Sequence, residues 1–252
     1  MSLDSLASAP AGSVAGLLAL AIGAFSGLRG ALRNRVGFAD ERLLWALGGA
    51  LGALAATRLG LWLLPTAGPF AGTLVWLALS LVATSATPAF DAGTRGRAIA
   101  SLVLKILASP VSSALSLVGL LAARARGARV DLAHGALFVS AGRGGAAVVI
   151  GAVVWAQDAL WEGDRIAEPW ALHEAHHTRT IASLGEIGFY AAYLLVGAPW
   201  SLLRGAPWNA LDARGRGHPF ERTAYRLSDA ASERLADEGR IEAPAEAMEA
   251  RG

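Results

Sequence analysis

Residues 43–64 read LLWALGGALGALAATRLGLWLL. Only Arg58 interrupts this apolar run with a charge. A helix needs about 20 mostly apolar residues to cross the hydrocarbon core of a bilayer, so the stretch predicts a transmembrane helix. Within it, Gly48-Gly49-Ala50-Leu51-Gly52 brings small residues close together, which permits tight helix–helix packing in lipid. Three more apolar runs surround it. Residues 11–28 are Gly/Ala/Leu-rich and near the lower limit for a span. Residues 70–90 are uncharged and follow a Pro-bounded turn at 65–69. Residues 98–123 are long enough but contain Lys105 and Pro110.

Composition agrees with a multi-span membrane protein. The chain is 54% hydrophobic and 17% charged, against about 45–50% apolar and about 25% charged in soluble domains. The net charge is +2, and Lys105 is the only lysine. The arginines gather at the ends of apolar runs, which suits membrane orientation and argues against a nucleic-acid partner. The absence of cysteine excludes disulfides, thiol catalysis and Cys-ligated metal. No Lys or Arg precedes the first run, so residues 11–28 read as a retained span rather than a cleaved signal.

Loop charges suggest a topology. Arg29, Arg33, Arg35 and Arg42 separate the first two runs, and Arg95 and Arg97 separate the last two. Both loops are cytoplasmic if 43–64 and 70–90 form a hairpin across the membrane, with the N-terminus outside. Arg124, Arg126 and Arg129 follow the fourth run. A break at Ser109-Pro110 would keep them on the same side, because proline removes a backbone donor and clashes with the preceding turn. A broken or re-entrant helix pair over 98–123 is therefore expected.

Beyond 127 the texture changes. Val-rich pieces around Gly142-Arg143-Gly144-Gly145 read as a small β-hairpin; one further membrane helix at 136–156 is the alternative. Residues 158–168 read as a polar loop. Pro169 then sits where a first helical residue often sits. After Gly185, residues 187–203 form an apolar helix, either a short span or an interfacial one. Residues 204–217 read as a loop, 220–235 as a helix, and 236–252 as a mobile tail.

The helix opened by Pro169 carries His173-Glu174-Ala175-His176-His177, a complete HExxH. Residues four apart share a helix face, so His173 and His177 can bind one Zn²⁺ while Glu174 takes a proton from water beside it. A catalytic zinc commonly has a third protein ligand. Two downstream residues qualify, His218 and Glu221. Glu186 and Asp229 are possible acceptors for the imidazole N–H groups. Tyr190, Tyr193 and Tyr225 could donate to an oxyanion or anchor at the interface. His134, isolated in a presumed strand region, reads as structural or as a surface residue.

Glu221-Arg222-Thr223-Ala224-Tyr225 resembles the E-x-x-A-D signature of gluzincin membrane peptidases such as the prenyl-protein (CAAX) protease and its bacterial heat-shock relatives, with Tyr225 in the Asp position. The chain is more similar to a group of small bacterial membrane proteins. These carry H-E-Y-G-H-T-x-Q-S, then G-P-L-Y-L, then G-x-P-S-L, then a late Glu-bearing helix. The matching pieces here are His173 to Thr178, Gly185 to Tyr190, Gly197 to Leu202, and Glu221, within residues 145–227. His176 stands where that group has Gly, and the Gln-Ser is absent. The resemblance implies Zn²⁺ held by His173, His177 and Glu221, with Glu174 as the catalytic base.

The expected fold is mainly α and integral to the membrane: transmembrane helices over 1–127, then a 128–235 region with a small β-hairpin and a zincin-like HExxH site. The expected function is a gluzincin-type zinc metallopeptidase acting on membrane-associated or unfolded polypeptides. It would be a multi-pass protein of the bacterial cytoplasmic membrane, its site facing the cytoplasm. The rival is a non-enzymatic membrane scaffold or transporter with an incidental or non-catalytic metal site.

Overall fold

The computed structural model describes residues 10–63, 71–91, 94–143, 146–203 and 218–240. The expected turn at 65–69, the loop at 204–217 and most of the expected tail (241–252) lie outside them. Three long helices come first: α1 (Pro10–Arg33), α2 (Ala39–Leu63) and α3 (Ala71–Asp91). Val14–Arg33 and Ala39–Gly60 are long and apolar enough to cross a membrane; the apolar part of α3, Ala71–Ala86, is shorter.

Glycine sets the contact between α1 and α2. A Cβ at Gly49 would lie 2.2 Å from the Gly23 carbonyl oxygen, and one at Gly27 2.0 Å from that of Trp45. The next face of α2 does the same elsewhere: a Cβ at Gly52 would lie 2.1 Å from the Leu184 carbonyl oxygen. Backbone therefore meets backbone on both sides of α2. Gly49→Leu has no room unless the helices separate. It is expected to destabilise the protein by about 1–3 kcal/mol or more, read as a lower unfolding midpoint in detergent.

The bend expected at 109–110 is present. Helices α4 (Arg95–Ala108) and α5 (Pro110–Ala125) meet at 119°. Ser109 N–H still reaches the Lys105 carbonyl, and Pro110 opens the new helix. The first-turn donors of α5 are capped from a distance, since the Glu186 carboxylate accepts from Val111 N–H (2.7 Å) and Ser112 N–H (3.0 Å). A carboxylate there complements the positive end of the helix dipole. Lys105 is fully buried and its Nζ donates to the His134 carbonyl. The charge inside this apolar run thus points into the protein, while Val103, Leu107, Val111, Leu115 and Val118 are exposed.

The β region is larger than the single hairpin expected. Strands β1 (Val130–Ala133), β2 (Ala136–Ser140), β3 (Ala147–Ile150) and β4 (Val153–Ala156) form one sheet in the order β1-β2-β4-β3. Two antiparallel hairpins are joined by parallel pairing of β2 with β4, Leu137 opposite Val153. Both turns are tight. His134 and Gly135 have φ of 47° and 64°, the left-handed pair a two-residue turn demands. Residues 158–168, expected as a loop, include a further hairpin, β5 (Trp161–Glu162) and β6 (Arg165–Ile166), pinned by buried Trp161 and Ile166. Strands of two residues leave no alternation to read.

Helix α6 (Glu168–Leu184) ends at Gly185, whose φ of 73° turns the chain. The next helix leaves at 115° to α6. It runs as α7 (Glu186–Ala191), a π-helical segment (Ala192–Gly197) and α8 (Ala198–Leu203). Helix α9 (Pro219–Asp237) packs along α6. The core at this junction contains Trp45, Ile181, Leu184, Phe189 and Phe220.

Candidate metal centre

Helix α6 presents His173 and His177 one turn apart, and the first turn of α9 presents Glu221 to both. One Glu221 carboxylate oxygen, Oε2, lies 3.1 Å from His173 Nε2 and 3.1 Å from His177 Nε2. The two Nε2 atoms are 3.3 Å apart. Tetrahedral coordination with bonds of about 2.0–2.1 Å separates neighbouring ligand atoms by roughly 3.3–3.4 Å. The triangle fits that spacing, and the group could hold a metal ion. All three residues are buried, 4–6% exposed.

Glu174 follows His173 on the same helix. Its Oε1 is 3.9 Å from His173 Nε2, and it is not one of the three converging residues. It stands beside the triangle rather than in it. Trp170 and Tyr225 pack against the His173 ring, with centroids at 5.7 and 4.6 Å.

The second Glu221 oxygen is also engaged. Tyr193 Oη donates to Oε1 at 2.8 Å. Tyr193 sits in the π-helical segment, where an added backbone residue per turn re-aims the side chains that follow; such segments are frequent at functional sites. Outer hydrogen bonds of this kind typically contribute 10–100-fold to metal affinity. Tyr193→Phe is accordingly expected to weaken metal binding by about ten-fold or more, read by competition with a chromophoric chelator.

His218, the other downstream residue, does not join the ligands. It is the residue before α9, its Nε2 donates to the Tyr193 carbonyl at 3.2 Å, and its ring stacks on Tyr193 at 4.0 Å. A Cβ at Gly197 would lie 2.6 Å from the His218 ring, so only glycine makes room for it. Burial pushes the His218 imidazole below its usual range, which keeps it neutral. For Glu221, burial alone would raise the carboxyl. The His177 charge and hydrogen bonds from His173 and His177 outweigh burial and hold it well below the usual carboxylate range.

The two expected acceptors for the imidazoles are elsewhere. Glu186 caps α5, and Asp229 is exposed on α9. The Nδ1 atoms of His173 and His177 are buried without a hydrogen-bond partner among the described residues. Tyr190 is 41 residues from the strand it serves: its hydroxyl accepts from Gly151 N–H at 3.2 Å and lies 3.5 Å from the Val149 carbonyl. His134 lies in the β1–β2 turn rather than in a strand. Compared with family models, with curated proteins and with solved structures, the chain finds no match.

Proposed function

We propose that this chain is an integral-membrane zinc metallopeptidase of gluzincin type that cleaves membrane-associated or unfolded polypeptides. The observation that carries the reading is the convergence of His173, His177 and Glu221 Oε2, 3.1–3.3 Å apart, with Glu174 unligated beside them. A ligand set of two imidazoles and one carboxylate suits zinc. Bound there, zinc would supply a Lewis acid and lower the pKa of water. Glu174 accepts the proton of the attacking water and returns it to the leaving amine. Tyr193 keeps Glu221 oriented, and Glu221 in turn stays ionised.

Two features favour a polypeptide substrate. Strand β3 is an edge strand that packs against α6. Ala146 spends its backbone groups on Gln157, so alternation turns those of Ala147 outward, while the Val149 carbonyl on the same edge meets the Tyr190 hydroxyl. An extended peptide can add to such an edge. An open cleft of about 580 Å³ is lined by Phe38, Arg222, Tyr225 and Asp229 among others; Tyr225 also packs against the His173 ring, while the three metal-site residues do not line the cleft.

Membrane integration rests on α1 and α2, with the bent pairs α4–α5 and α6–α7 as possible further spans. Helix α9 docks on the segment between α1 and α2 and on the first turn of α2: Arg226 donates to the Arg35 carbonyl and Arg222 to Asp40. The positive-inside rule favours the cytoplasmic side for the arginines around that segment, which supports a site at the cytoplasmic face. Detergent-purified protein loaded with zinc is expected to degrade casein, to stop on chelation and to resume on zinc addition. Zinc-loaded protein without chelator-sensitive cleavage of any unfolded polypeptide would overturn the peptidase reading.

A further inference from the structure

Behind the ligand triangle lies a second buried polar cluster, built around Glu41 in the first turn of α2. Glu41 and Thr223 are fully buried, and His176 is 1% exposed. Burying a carboxylate is costly unless it is partnered. Here the partners come from both ligand-bearing helices. Thr223 Oγ1, on α9, donates to Glu41 Oε2 at 2.6 Å. His176 Nε2, on α6, faces Glu41 Oε1 at 3.6 Å. That gap is beyond a hydrogen bond, and neither atom has a hydrogen-bond partner among the described residues.

The sequence positions matter. Thr223 is two residues after Glu221, and His176 immediately precedes His177. Asp40, next to Glu41, accepts from Arg222 at 2.9 Å. The start of α2 thus grips α9 at the two residues that follow one metal ligand, and faces α6 at the residue adjoining another. Trp45, one turn further along α2, packs beside the His176 ring with centroids 6.3 Å apart.

We infer that Glu41 is a positioning residue of the metal centre. Its side chain, bonded to α9 through Thr223 and in contact with α6 at His176, sets the separation at which His177 and Glu221 meet a common ion. Helix α2 is one of the two unbroken helices among the described residues that are long and apolar enough to span a membrane, so this contact ties the ligand geometry to the candidate transmembrane part of the fold. The inference rests on the metal-binding half of the proposed function and not on peptide hydrolysis.

The test uses the full-length, detergent-purified, metal-free protein titrated with Zn²⁺ against a chromophoric chelator. Glu41→Ala is expected to lower zinc affinity by about 10–100-fold, the range for groups that orient metal ligands. Glu41→Gln is expected to recover most of it, because its amide keeps an oxygen for Thr223 and offers an N–H to His176. Thr223→Val removes one arm of the bridge and is expected to fall between the two. A merely structural role would lower the unfolding midpoint of metal-free Glu41→Ala and leave the zinc affinity of the folded protein unchanged. That result overturns the inference, as does a Glu41→Gln variant as weak as Glu41→Ala. Should Glu41→Ala not fold, Glu41→Gln and Thr223→Val decide, and wild-type affinity in Thr223→Val overturns it. Absence of zinc binding in the wild type overturns the proposed function as well, whereas unchanged variants beside a zinc-binding wild type overturn this inference alone.

Discussion

Glu174→Gln is expected to keep the metal and lose the chemistry. The side chain lies beside the ligand triangle, 3.9 Å from His173 Nε2, and contributes none of the converging atoms. Glutamine preserves its shape but cannot accept a proton from water. Loss of a positioned general base typically costs 10²–10⁴-fold in rate, so chelator-sensitive casein hydrolysis should fall by about that factor. Zinc stoichiometry should match the wild type. This pair of readings separates an enzyme from a transport or storage site, because the latter has no use for Glu174. Full hydrolytic activity in Glu174→Gln would remove Glu174 from the mechanism.

The second large effect concerns the ligands. His173→Ala, His177→Ala and Glu221→Ala are each expected to abolish stoichiometric zinc binding. Two remaining ligands cannot close a site that normally takes three from the protein. His177→Ala carries a further cost, since Glu221 Oε2 keeps only His173 as its neighbour in a buried setting. Breaking a buried ion pair by removing one partner typically destabilises by about 3–5 kcal/mol. Zinc should therefore raise the unfolding midpoint of the wild type through linkage and leave that of the three variants unmoved. His218→Ala is expected to retain zinc, because His218 engages the Tyr193 carbonyl and not the triangle.

Much of this arrangement could be read along the chain because it is local. The spacing of His173 and His177 decides that they share a helix face, whatever surrounds the helix. Pro110 marks the α4–α5 break because its ring clashes with the preceding turn. The runs at 11–28 and 43–64 are apolar enough to announce two candidate spans. Each of these depends on neighbours a few residues away.

What the chain could not declare by itself depends on contacts between distant segments. Both Glu221 and His218 had the chemistry of a third ligand, and only packing chose between them. Pro219 starts α9, so Glu221 lands in its first turn facing α6, while His218 stays outside it against Tyr193. Glu186 and Asp229 looked equally fit to support the histidines, yet one caps α5 and the other faces outward. The parallel pairing of β2 with β4 joins two hairpins that local periodicity reports separately. Tyr193 reaches Glu221 from a π-helical segment, which residue spacing does not reveal. Nothing in the sequence singled out Glu41, because its contacts lie 182 residues away at Thr223 and across the core at His176. Residue order thus determined which groups could bind a metal, through helix periodicity and side-chain chemistry. The tertiary structure decided which of them meet and what holds them there, because burial and long-range hydrogen bonding depend on the whole chain.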